Sequence, residues 1–287
     1  MRRFPLLAAF ALFFALLAHA QPSAVTLTPA IVVAGSPELI HIDAPASSTL
    51  EGQWLGHKLG FFRSARGWYA LAGVDVEAAT GPSALQIREN LRGGGVRDLS
   101  RGVEVHPAHY RSGALSVAPQ FVAPPPQEMA EIEAEIALKQ KVFAESAPRP
   151  LWSGSFRAPV QAPPTDSFGT RRTFNGELAS VHKGMDFRAH AGTPVRASNS
   201  GAVILARKLY YEGNCVAIDH GLGLYTISMH LSRIDVRPGQ QVRKGQLLGL
   251  SGATGRVTGP HLHWAVRWQN AYLDPARLLR MNLGSVH

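Results

Sequence analysis

The stretch Asn214-Cys215-Val216-Ala217-Ile218-Asp219-His220-Gly221-Leu222-Gly223-Leu224-Tyr225-Thr226-Ile227-Ser228-Met229 places two apolar runs on either side of a glycine-punctuated turn. Runs of this length, rich in branched and aromatic residues and bounded by glycine, form strands, and so short a connection folds one back on the other. Outward from it, Thr193-Pro194-Val195-Arg196-Ala197 and Gly201-Ala202-Val203-Ile204-Leu205 read as further strands, and Gly239, Gly245, Gly249, Gly252, Gly255 and Gly259 mark tight turns. Residues 151–287 are therefore expected to be an antiparallel β domain.

Upstream the character changes. Between prolines 124–126 and Pro148, the run from Gln127 to Phe143 carries Met129, Ile132, Ile136 and Phe143 at helical spacing, with acids leading and lysines following. Residues 110–150 are expected to be a Pro-rich linker with one connector helix, too short in pattern for a coiled coil. Residues 21–109 alternate weakly with period two in Glu38-Leu39-Ile40-His41-Ile42-Asp43, Gly67-Trp68-Tyr69-Ala70-Leu71-Ala72-Gly73, Ala84-Leu85-Gln86-Ile87-Arg88 and Gly102-Val103-Glu104-Val105. That predicts a small immunoglobulin-like β-sandwich, for a mainly β chain. His41, His57, His106 and His109 are scattered through it and predict no site.

Residues 1–20 start with Arg2 and Arg3, continue through an apolar run and end Ala18-His19-Ala20. This is the pattern of a cleaved secretory signal, and the apolar run falls short of the roughly 20 residues that span a bilayer. No second stretch of that length follows, so no membrane span is expected after cleavage. The single cysteine, Cys215, allows no internal disulfide and reads as a small buried strand residue. Charge is uneven: residues 151–287 hold 16 Lys/Arg against 7 Asp/Glu, whereas residues 21–150 hold 11 against 13. In an exported protein a basic half suits an anionic wall or membrane surface, and no nucleic-acid partner is expected.

Two spacings carry chemistry. His182 and Asp186 stand four apart in Val181-His182-Lys183-Gly184-Met185-Asp186-Phe187, and His261 and His263 stand two apart in Gly259-Pro260-His261-Leu262-His263-Trp264. Residues two apart on a strand face the same way, so both imidazoles can approach one point. Two imidazoles and a carboxylate suit zinc, and three protein ligands leave a position for water, whose pKa then falls to about 7. With one cysteine a closed structural zinc finger is excluded. His230, in Ser228-Met229-His230-Leu231-Ser232, is the further histidine in this glycine-rich region; His190 and His220 have no ligand-like partner and read as structural.

Residues 168–279 resemble the LytM-type, lysostaphin-like M23 family of zinc metallopeptidases. The resemblance rests on Phe168-Gly169-Thr170-Arg171-Arg172-Thr173-Phe174-Asn175-Gly176, on His182-Lys183-Gly184-Met185-Asp186-Phe187, and on Gly192-Thr193-Pro194-Val195. It continues through Asp219-His220-Gly221 and Met229-His230-Leu231-Ser232 to Gly252-Ala253-Thr254-Gly255-Arg256-Val257-Thr258-Gly259-Pro260-His261-Leu262-His263-Trp264. It implies an antiparallel β fold with its site in a groove, one Zn2+ per chain held by His182, Asp186 and His263, and His230 and His261 as catalytic histidines. His261 would then be the general base, and His230 would donate to the carbonyl oxygen as charge develops there. Arg171, Arg172 and Asn175, in a loop able to border the groove, are candidates to hold a substrate carboxylate.

The resemblance and the export signal together imply a periplasmic endopeptidase acting on cross-links or stem peptides of peptidoglycan. The alternative is a non-hydrolytic LytM-like module that binds or activates other wall hydrolases, against which all five chemical positions are present; a third reading is cleavage of protein substrates. Three roles stay open for the N-terminal half: positioning the enzyme, contacting an envelope partner, or covering the groove.

Overall fold

The computed structural model describes residues 24–284 except 175 and 177. The expected signal segment, residues 1–20, and the candidate Asn175 lie outside the described residues.

Strands dominate the described residues, which hold one long helix, Pro126–Val142, and a short one near the C-terminal end, Pro275–Arg280. The run that opened the sequence reading is a hairpin: Gly213–Asp219 pairs antiparallel with Leu224–Ile234, with Ala217 opposite Ile227 and Ile218 opposite Thr226. On its far side Leu224–Ile234 pairs with Leu262–Trp268, which pairs in turn with Met185–Phe187. Gly201–Leu209 extends the sheet beyond Gly213–Asp219. The central strands are apolar on both faces because both are covered: Trp264, Trp268 and Ile218 are buried on one cluster, and Ala217, Ile227, Tyr225 and Cys215 on another. Cys215 is a free thiol within this core, and burial pushes its pKa up.

The N-terminal half is two sheets. One runs in the order Val25–Thr28, Pro37–Ile42, Gly67–Gly73, Phe61–Ser64; the other is built on Gly81–Asn90 between Val96–His106 and Thr49–Trp54. Ile40, Ile42, Trp54, Leu71, Leu85 and Val105 are buried among them. This core continues without a break into the C-terminal half, where Phe62 meets Trp152 edge to face at 5.6 Å. Backbone groups cross the junction as well: Asp274 N donates to Gly35 O at 2.7 Å, and Tyr272 N to Asp75 Oδ2 at 2.7 Å. The two halves expected as separate units thus share packing.

Two expectations change. The region expected as linker holds a strand, Ser112–Leu115, paired in parallel with Arg171–Phe174, and the Arg171 region expected as a loop is a hairpin of Arg171–Phe174 with Leu178–Val181. The helix lies where expected but turns a different face inward: Ile132 and Glu135 are buried, while Met129 and Ile136 are 41% and 47% exposed. A polar contact sets that rotation, because the Glu135 carboxylate accepts both of its hydrogen bonds from Tyr210 N, at 2.9 and 3.0 Å. Apolar spacing alone does not register such an anchor.

Candidate active site

Sheet register builds the site. Asp186 lies directly opposite His263, and Met229 is the partner of His263 on its other side, so carboxylate and imidazole start from adjacent strands. His182, in the turn before Met185–Phe187, completes a triangle: its Nε2 is 3.1 Å from Asp186 Oδ1 and 3.0 Å from His263 Nδ1, which is itself 2.8 Å from Asp186 Oδ1. Atoms bound about 2.0–2.2 Å from one tetrahedral ion stand roughly 3.3–3.6 Å apart, and these three donors, 2.8 to 3.1 Å apart, converge to within a few tenths of an ångström of that spacing. Among the described residues these three form the one histidine–acid cluster converging in this way.

Each donor is held from behind, as metal ligands generally are. His182 Nδ1 donates to Ser167 O at 2.9 Å, which leaves the Nε2 lone pair facing the cluster. Arg172 donates to Asp186 Oδ2 at 2.8 Å and also binds Asp166, so Asp186 Oδ1 is the oxygen turned to the histidines. Burial would raise the Asp186 carboxyl, yet the neighbouring His182 and His263 imidazoles hold it well below the usual carboxylate range. Behind His263 there is room for no side chain at position 184. A Cβ on Gly184 would sit 2.6 Å from His263 Cε1 and 2.8 Å from the Trp264 carbonyl oxygen.

The two remaining histidines stand beside the triangle. His261 Nδ1 donates to Gly259 O at 2.8 Å, and its Nε2 is 3.8 Å from Asp186 Oδ1. His230 occupies a bulge: two residues, Met229 and His230, lie between the partners of Val216 and Asn214, which have only Cys215 between them. At φ 63° it takes a left-handed conformation uncommon for a non-glycine residue. The bulge turns the ring into the groove, 5.0 Å from the His261 ring, with Nδ1 donating to Thr254 O at 2.9 Å. Burial, with His263 and His261 alongside, lowers the His230 pKa to about 3. Strain kept in an otherwise regular strand is characteristic of functional positions.

These groups sit in a groove of about 710 Å³. Arg172, read from sequence as a fork for a substrate carboxylate, has its fork on Asp166 and Asp186; Arg171 is exposed on the same strand. His220 is fully buried between Ser200 O and Thr226 Oγ1, each at 2.8 Å, and burial lowers its pKa to about 4. Gly184, Asp166 and the carbonyls of Ser167, Thr254 and Gly259 had no assigned role in the sequence. Only Gly184 left a trace there, as a glycine lodged inside the His182–Asp186 spacing.

Residues 180–275 match the model of peptidase family M23. The chain is 53% identical over 83 residues to the peptidoglycan DD-endopeptidase ShyA of Vibrio cholerae serotype O1, which is 29% of this chain and 19% of that protein. It is 43% identical over 113 residues to ShyC of the same organism, 39% of this chain and 26% of that one. It is 41% identical over 95 residues to the DD-carboxypeptidase/endopeptidase Mpg of Neisseria meningitidis serogroup B, 33% of this chain and 22% of that one. The chain thus spans about a fifth to a quarter of these curated relatives. Among solved structures, a candidate peptidase M23 from Pseudomonas aeruginosa superposes with a TM-score of 0.68 at 28% identity, over 86% of this chain and 94% of that one. The C-terminal part of the chain, residues 180–275, is thus similar to peptidase family M23.

Proposed function

We propose that the chain is a zinc-dependent endopeptidase that hydrolyses cross-links or stem peptides of peptidoglycan in the periplasm, with residues 151–287 as its catalytic domain and residues 21–109 as an accessory unit. The observation that carries this is the convergence of His182 Nε2, Asp186 Oδ1 and His263 Nδ1 within 3.1 Å of one another, beside two further imidazoles in an open groove. The similarity to named peptidoglycan DD-endopeptidases supports the substrate class.

His182, Asp186 and His263 would hold one zinc ion. Bound there, it would supply a Lewis acid for the scissile carbonyl and lower the pKa of a water molecule. The protein's own part is proton handling. His261, its Nδ1 proton committed to Gly259 O, presents Nε2 as a lone pair and serves as general base. His230 is oriented in the same way by Thr254 O and is neutral at rest because it is buried, so its Nε2 also begins as an acceptor. Donation from that atom, the role inferred from the family resemblance, follows uptake of a proton. Negative charge developing on the substrate oxygen beside His230 favours uptake of that proton from solvent and its donation in a hydrogen bond to the oxygen, while the proton that His261 takes from water passes to the leaving amine as the C–N bond breaks.

Elemental analysis of the purified mature protein, with digestion of isolated sacculi and mass identification of the new ends, tests the proposal. About one zinc per chain and peptide-end products are expected; metal-free protein that releases nothing would overturn it.

A further inference from the structure

Among the described residues, every acid lining the groove is matched to a cation. Glu77 pairs with Lys183 at 2.8 Å, Asp166 and Asp186 share Arg172, and Glu212 pairs with Lys139 at 2.6 Å. The groove wall holds three cations, Arg172, Lys183 and Arg256, and the first two are used in those pairs. Arg256 has no carboxylate within ion-pair distance among the described residues. Its guanidinium instead lies between two aromatic rings, 4.7 Å from the centre of Phe174 and 4.8 Å from that of Tyr211.

That placement is built. Arg256 N donates to Tyr211 O at 2.8 Å, and the preceding Gly255, at φ 76°, packs so closely that a Cβ would sit 2.6 Å from the same carbonyl oxygen. The segment also carries Thr254, whose carbonyl orients His230 and whose hydroxyl donates to Leu231 O at 2.8 Å. Partial burial, with Arg172 nearby, lowers the pKa of Arg256. A planar guanidinium stacked on aromatic rings keeps its N–H edge available for two parallel hydrogen bonds, the geometry a carboxylate accepts.

We propose that Arg256 is a specificity-determining residue that receives a free carboxylate of the peptide substrate, making this a groove for acidic rather than amidated stem peptides. This rests on the peptidase reading above and extends it, since an enzyme of that class has no inherent need to distinguish the two. Phe174 and Tyr211 hold the fork in place, while Arg172 keeps Asp186 oriented; the two arginines of the groove divide support of the site from recognition of the substrate.

The test compares a cross-linked peptide bearing a free side-chain carboxylate with the same peptide amidated at that group, using the zinc-loaded protein and its R256Q and R256K variants. In the wild type, kcat/KM should favour the carboxylate form by about 10- to 100-fold, the range of a charged hydrogen-bonded pair, mainly through KM. R256Q should lose that preference, its kcat/KM falling far more on the carboxylate peptide than on the amidated one, and R256K should recover part of it. An equal loss on both peptides in R256Q, or no preference in the wild type, would overturn the assignment. Binding of the uncross-linked carboxylate and amide peptides, measured by calorimetry, gives the same comparison without turnover. If neither peptide is cut yet the wild type alone prefers the carboxylate form, the peptidase reading falls and the carboxylate site stands.

Discussion

Among the carboxylates buried in the sheets of this protein are Glu38 and Asp186, one in each half, and their surroundings drive them in opposite directions. Glu38, on Pro37–Ile42, is wholly inaccessible; Ser36 Oγ lies 2.5 Å from its Oε1, and Oε2 has no partner. Burial pushes its pKa up to about 8. Asp186 is 8% exposed but is met by Arg172, His182 and His263, and is held charged. Both halves are β-rich and share one core, so neither fold nor burial separates them. What separates them is the cations and imidazoles around Asp186, and that difference makes a candidate metal centre of one and a structural acid of the other.

Breaking the Asp186 centre should have the largest effects. His263→Ala removes one corner of the triangle, and zinc content and sacculus digestion should vanish together; retained zinc with full activity would remove His263 from the ligand set. His230→Ala leaves the triangle whole, so zinc should stay bound while turnover falls by about 10²-fold or more. An unchanged rate would mean that the bulge positions nothing of catalytic use. Arg172→Gln leaves the three donors in place but frees Asp186 Oδ2, and zinc affinity should fall by about 10- to 100-fold, read by competition with a chelator. An unaltered affinity would reduce Arg172 to a surface ion pair.

How much of this was legible follows from where each cause sits in the chain. The Gly213–Ile234 hairpin was readable because its turn and both strands are contiguous, and the two His/Asp spacings because each lies within five residues. The buried face of Pro126–Val142 was not, since Glu135 answers a backbone N–H 75 residues away. Arg172 was no more legible: an arginine in a polar stretch reads as solvated or substrate-facing, whereas its Asp186 partner lies 14 residues later on a strand of another sheet. The strand Ser112–Leu115 was missed because its parallel partner lies some sixty residues on. His230 was marked as a histidine in company, but its left-handed backbone depends on a count mismatch between two strands, which only the register reveals.

Glu38 sharpens the comparison from the other side. Ser36 Oγ is 2.8 Å from Val33 O as well as 2.5 Å from Glu38. A hydroxyl has one proton, so with that proton donated to Val33 O, a protonated Glu38 supplies the second hydrogen bond. The ordinary glutamate value is 4.5 and the folded value about 8, so between these the folded chain retains a proton that the unfolded chain has released. Stability from this group is therefore complete below the lower value and is lost as pH rises through the upper one. Glu38→Gln keeps a donor and cannot ionise. It should match the wild type in urea melts near pH 4.5, exceed it by roughly 4 kcal/mol near pH 8, and leave zinc content and turnover unaltered. A variant less stable than wild type at both pH values would mean that Glu38 is ionised in the fold, and that the two buried carboxylates are alike after all.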